Sequence, residues 1–163
     1  ALFPSLAVFQ PLPCQPNRAL LWGRPSPPPQ YTLMSPDYAK EWIRKARADK
    51  RAAERALKDA KRNKDQAEIA CFHAQQCAEK YLKAVLSMLG LAVPRIHDLL
   101  ALAGILKKHG FPCAKLEKSF RTLNHFAVEI RYPGFSAAVS EAGTALNAME
   151  KVIVLSESFL RKH

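Results

Sequence analysis

Across residues 36–163, apolar positions recur in the steps of three and four that mark amphipathic helices, and no stretch alternates with the period of two expected of a strand. At about 100° per residue, Tyr38, Trp42, Ile43, Ala46, Ala53, Leu57 and Ala60 share one side of a first helix, predicted to run to about Asn63. Ser35 is a good N-cap for it, Pro36 suits the first helical position, and Asp37 complements the helix dipole. A second helix, about Asp65 to Leu89, carries Ala74, Ala78, Tyr81, Leu82, Val85 and Leu89 on its apolar side and stops at Gly90. A shorter third helix starts beside Asp98, runs to about Lys108, and is closed by Gly110 and Pro112. The fourth aligns Leu116, Phe120, Leu123, Ala127 and Ile130 and is broken by Arg131-Tyr-Pro-Gly134. The last, about Ala137 to Arg161, aligns Ala142, Leu146, Met149, Val152, Ile153 and Leu160. Long amphipathic helices joined by short loops predict an all-α fold: an antiparallel up-and-down bundle of four to five helices.

Upstream of this pattern the texture changes. Nine of the twelve prolines fall in residues 1–36, where the only charges are Arg18 and Arg24. Runs such as Gln10-Pro-Leu-Pro13 and Pro25-Ser-Pro-Pro-Pro29 fix φ and remove amide donors, so neither a helix nor a central strand suits them. Residues 1–34 are therefore expected to be an irregular, proline-rich extension, with the bundle spanning 35–163. Met34-Ser35-Pro36-Asp37 has the pattern of a natural start, which leaves two readings of residues 1–33, native chain or non-native upstream sequence. They lack the basic start, apolar run and small-residue cleavage site of a secretory signal.

Composition adds two constraints. No apolar run approaches the roughly 18 residues of a membrane-spanning helix, so no membrane role is expected. The cysteines, at 14, 71, 77 and 113, form no CxxC pair and no cysteine–histidine set with zinc-site spacing. They read as reduced thiols of a cytoplasmic protein, with no metal; His73 and His125 likewise have no neighbours that complete a ligand set. No phosphate-binding glycine loop or nucleophile elbow is present, and no cofactor is implied.

Charge is more informative. A formal net charge of +11 costs self-repulsion that an anionic partner relieves. On the first helix Lys40, Arg44, Arg47, Arg51, Arg55, Lys58 and Arg62 fall within a sector of about 80°, opposite the apolar side. Such a ridge suits either plain solvation or the tracking of phosphates. The second helix carries a different feature. Gln76, Glu79, Lys80 and Lys83 form one polar strip beside its apolar side, with Ile69 and Phe72 one or two turns earlier. A helix with two such faces is expected to turn the second toward a dimer seam or a ligand cleft.

At these residues the chain resembles the HEPN domain family. The resemblance is carried by Phe72-His-Ala-Gln-Gln-Cys-Ala-Glu-Lys-Tyr-Leu-Lys-Ala-Val-Leu86, then His97-Asp-Leu-Leu100, then Leu123-Asn124 and Arg131-Tyr-Pro133, and it covers about residues 36–163. It implies a homodimeric helical bundle that binds a nucleotide or RNA as an accessory to a minimal nucleotidyltransferase, in some members as half of a toxin–antitoxin pair. The ligand-binding residues at these motifs are expected to be Gln76, Glu79, Lys80, Lys83, His97, Arg131 and Tyr132. Lys80 and Lys83 would hold phosphates and Gln76 read a base edge, or the three would form an intrahelical network with Glu79 packed across a dimer seam. Taken from the residues alone, Asp98 is expected to complement the third helix and His97 to close the loop before it. The guanidinium of Arg131 would meet phosphate and the Tyr132 ring would stack on a base, or the two would form a packed helix-breaking corner.

A second branch of the family consists of metal-independent ribonucleases, in which an arginine is followed after four to six residues by a histidine. Here Arg131 is followed at those offsets by Ser136, Ala137 and Ala138. Arg121 and His125 have three residues between them, and Arg95 and His97 have one. Arg121 and His125 are the alternative catalytic pair, one turn apart on a helix face. The family spacing is absent, so the expectation is a protein without independent catalytic activity.

Overall fold

A computed structural model describes residues 36–129 and 136–162. The proline-rich extension and the Arg131–Gly134 corner lie outside the described residues, as do the side chains of Ala127 and Ile130. Five α-helices follow in order: α1 Pro36–Asp59, α2 Gln66–Met88, α3 Leu99–Lys107, α4 Glu117–Glu129 and α5 Val139–Leu160, with a 3₁₀ turn, Cys113–Leu116, leading into α4. Among the described residues there is no strand, and no helix is long and apolar enough to cross a membrane. The expected all-α bundle is what forms.

Helix boundaries follow local chemistry. α2 and α3 both end on a left-handed glycine, Gly90 at φ 69° and Gly110 at φ 82°. At each, the amide of the residue after the glycine reaches back to the helix: Leu91 N–H to Leu86 O at 3.0 Å, and Phe111 N–H to Leu106 O at 3.2 Å. Without a Cβ, glycine adopts this conformation without strain. α1 stops at Asp59, earlier than the periodicity suggests, because Arg62 N–H and Asn63 N–H both turn back onto Asp59 O. Arg62 therefore sits in the connecting turn, beyond the helical part of the ridge. Tyr38, assigned to the apolar side of α1, is instead 46% exposed.

α2 is the central helix, packed by α1, α5, α4 and α3. Trp42 meets Lys83, and Asp49 meets His73 and Lys80, so α1 runs antiparallel to α2. Arg47 reaches Glu157 and Lys50 reaches Glu150, so α1 is antiparallel to α5 as well. Toward the α1–α2 turn the contact is built from small side chains: Ala53, Ala56 and Ala60 against Ala67, Ala70, Cys71 and Ala74, all buried. Small residues let the two helices approach closely. Toward the other end the core is filled by Tyr81, Leu82, Leu86, Leu99, Leu102, Leu106, Phe120, Leu123 and Met149.

Candidate functional site

Because α2 is covered on nearly every side, any polar residue in its middle must find a partner or carry a large desolvation cost. Gln75, Glu79 and Lys83 are 0%, 3% and 5% exposed. They stand four residues apart along one face and satisfy one another. The Lys83 ammonium donates to Glu79 Oε1 at 2.8 Å and lies 5.5 Å from the centroid of the Trp42 ring of α1. The Gln75 amide donates to Glu79 Oε2 at 3.2 Å and to the His97 carbonyl at 3.0 Å. Gln76 donates to Gln75 Oε1 at 2.8 Å.

The same carboxylate holds the His97 imidazole, whose Nδ1 lies 3.1 and 3.2 Å from its two oxygens. An ionised carboxylate only accepts, so Nδ1 carries the hydrogen of this contact. The His97 side chain is 60% exposed, whereas that of Glu79 is 4% exposed. Among the described residues nothing hydrogen-bonds the second ring nitrogen. A buried anion thus fixes the orientation of a surface imidazole.

One turn along α2 is a second cluster. Asp49 of α1 accepts from Lys80 and from His73 Nδ1, the latter at 3.0 Å. Lys80 also reaches Gln76 Oε1 at 3.4 Å, which joins the two clusters. His73, considered for metal binding, has its Nδ1 committed to this carboxylate.

The segment after His97 is held by a cap. Asp98 is in extended backbone at φ −77°, ψ 115° and accepts from Leu100 N–H at 2.8 Å and Ala101 N–H at 3.2 Å. Asn124 of α4 completes it, accepting from Leu99 N–H at 3.0 Å and donating to Asp98 Oδ1 at 2.7 Å. Partial burial raises the Asp98 carboxyl, but the Asn124 amide and the two backbone donors outweigh it and leave its pKa below the ordinary aspartate value. Asp98 is therefore structural, and by capping α3 it anchors the loop that carries His97.

Five of the seven ligand-binding residues expected from the sequence, Gln76, Glu79, Lys80, Lys83 and His97, come together here. Arg131 and Tyr132 lie outside the described residues. The strip forms the intrahelical contacts that were one of its two expected readings, Lys83 with Glu79 and Lys80 with Gln76, but it faces its own bundle rather than a second surface. Lys80 and Lys83 point into contacts with Asp49, Glu79 and Trp42, because α1 and the loop before α3 cover that side of α2. Of the apolar pair, Phe72 is half-buried and Ile69 is 42% exposed.

The contributors missed from the sequence are Gln75, Asp49, Trp42 and Asn124. Asp49 carried a signal, a charge about 180° from the basic ridge and so on the buried side of its helix. Elsewhere, the alternative pair Arg121 and His125 lies on the exposed face of α4, where the Arg121 guanidinium donates to Glu117 at 2.8 Å. Cys71, Cys77 and Cys113 are free thiols, and burial pushes Cys71 and Cys77 up to about 12, which removes them as nucleophiles.

Residues 39–159 match a family model described as HEPN domain. Among solved structures the chain is similar to TT1696 from Thermus thermophilus, at 26% identity and a TM-score of 0.64, over 74% of this chain and 96% of that one. No curated protein matches it.

Proposed function

The chain belongs to the HEPN domain family, and from that premise we propose that it is a nucleotide- or RNA-binding accessory subunit. In this reading it acts in the cytoplasm as a homodimer beside a minimal nucleotidyltransferase partner, with a toxin–antitoxin pair as the setting. One observation carries the binding role: the exposed His97 imidazole, tied through Nδ1 to the buried Glu79. That tie fixes the tautomer and orients the ring, so the second nitrogen is presented to an external ligand with little entropy left to lose. Protonated, it donates to a phosphate oxygen; neutral, it accepts from a base or ribose donor.

Burial of Glu79 with Lys83 supports the same reading. An ion pair so desolvated adds little net stability. Its use here is to hold an acid of fixed position beneath the imidazole. In this reading the chain has no chemistry of its own, since the arginine–histidine spacing of the ribonuclease branch is absent from the sequence.

Titration of the purified protein with labelled nucleoside triphosphates and short RNA at low salt tests this, alone and with the partner. Binding is expected, with His97→Ala weakening it by about tenfold, the effect of one charge-assisted hydrogen bond. Absence of binding in every arm, or a His97→Ala protein that binds as wild type does, overturns the reading. Sedimentation of the purified chain reads the dimer separately.

A further inference from the structure

α1 divides its charges between two faces. Asp49 is turned inward to Lys80 and His73, and Lys50 is drawn to Glu150 of α5 at 2.5 Å, with Glu54 beside it at 3.9 Å. The outward face keeps Lys40, Arg44, Arg47, Arg51, Arg55 and Lys58, every one exposed. At the N-terminal end, Lys40 pairs with Asp37 at 3.1 Å and Arg44 with Glu41 at 2.7 Å, and Arg47 approaches Glu157 at 3.7 Å. Farther along, Arg51, Arg55 and Lys58 have no carboxylate within ion-pair distance among the described residues.

We propose that this outer face of α1 is a track for the phosphodiester backbone of a nucleic-acid strand. The inference rests on the nucleotide- or RNA-binding reading and narrows it from a nucleotide to a polynucleotide, at a place distinct from His97. Length is the first reason. From Lys40 to Lys58 the ridge extends about 27 Å at about 1.5 Å per residue, far more than the phosphates of one nucleotide occupy. Residue type is the second. Four of the six cations are arginines, whose planar fork matches phosphate oxygens in pairs.

The third reason excludes other partners. Protein interfaces are built around apolar or aromatic anchors, and membrane-surface helices insert apolar side chains beside their cations. The exposed large apolar residues of the described chain are Tyr38, Ile69 and Val154, and none lies in the ridge sector. Ile43 lies at the edge of a shallow depression of about 350 Å³ lined otherwise by Lys40, Arg44, Arg47 and Arg51. That depression gives a strand a foothold, and the cations beyond it continue the path.

The signature of such a track is counterion release. Each neutralised phosphate contributes about −0.7 to the slope of log K against log salt for a single strand. The experiment measures anisotropy of a labelled RNA of about 20 nucleotides from about 50 to 200 mM salt, for wild type and for Arg51→Gln/Arg55→Gln/Lys58→Gln. Glutamine is a good helix former, and unchanged helicity by circular dichroism verifies the fold. The expected result is RNA binding whose slope falls in magnitude by about 2 in the triple variant.

An unchanged slope overturns the track. So does equal binding of poly-glutamate with the same loss in the variant, which would assign the ridge to an acidic protein. Labelled ATP separates this proposal from the reading beneath it. ATP binding without RNA binding removes the track and leaves the accessory-subunit reading standing, and no binding of either removes both.

Discussion

The two faces of α1 use the same charged residue types in opposite ways. On the inner face, Trp42 and Asp49 receive Lys83 and Lys80 from α2, so each ammonium reaches its partner out of bulk water. On the outer face Arg51, Arg55 and Lys58 stand in solvent with no carboxylate within ion-pair distance among the described residues. Desolvation sets the difference. A buried cation without a partner costs several kcal/mol, whereas an exposed one costs only weak repulsion from its neighbours. The inner charges are thus constrained by the fold, and the outer ones are free to be chosen for what they meet.

The sharpest way to break this comparison is to remove Glu79. Glu79→Ala leaves the Lys83 ammonium, with a side chain 6% exposed, against the Trp42 ring and with no ion-pair partner among the described residues. A loss of about 3–5 kcal/mol is expected in urea unfolding. The double variant Glu79→Ala/Lys83→Met should recover much of it, because no stranded charge remains. A single-variant loss below about 1 kcal/mol would mean that water reaches Lys83 and that the inner face is not dry.

The fold was legible because it is local. Ala46, Ala53 and Ala60 repeat at steps of seven, and glycine marks the ends of α2 and α3, so periodicity and punctuation were enough to place the helices. The site was legible in membership and not in meaning. Gln76, Glu79, Lys80 and Lys83 were identifiable as a strip on one helix, and some of their contacts stay within it, such as Lys83 with Glu79. The groups that cover the strip, His97 and Asp49, lie 18 and 31 residues from the residues they meet. Whether such a strip faces water or a neighbour depends on how many helices surround α2. Amphipathic pattern cannot report that number for a helix covered on almost all sides. Asn124 shows the same limit: a side chain of α4 caps α3, a contact with no trace in local sequence.

A smaller effect tests whether the His97 loop is positioned by its cap. Asn124→Ala removes the acceptor for Leu99 N–H and the donor to Asp98, for an expected loss of about 1–2 kcal/mol. The pH dependence follows from the depressed Asp98 value. A group whose folded pKa lies below its unfolded one contributes fully above the unfolded value, and that contribution is lost as pH falls through the folded one. The difference in Tm between wild type and Asp98→Ala should therefore be constant near neutrality and shrink below about pH 4. A difference that persists into stronger acid would show that the aspartate acts by packing.

The smallest expected effect has the opposite sign. Arg51 stands four residues from Arg47 and four from Arg55, so it takes part in two like-charged pairs on the outer face. Arg51→Gln relieves both with almost no change in helix propensity, and a gain of about 0.2–0.5 kcal/mol per pair is expected in thermal or urea unfolding. Because the repulsion runs through solvent, the gain should vanish near about 1 M salt, where the screening length is about 3 Å. Stability gained by deleting a cation from the outer face, against stability lost by stranding one on the inner face, would mean that the ridge is maintained against the interest of the fold. Loss of stability in Arg51→Gln would instead give that arginine a structural contact and remove the reason to look for an anion outside the chain.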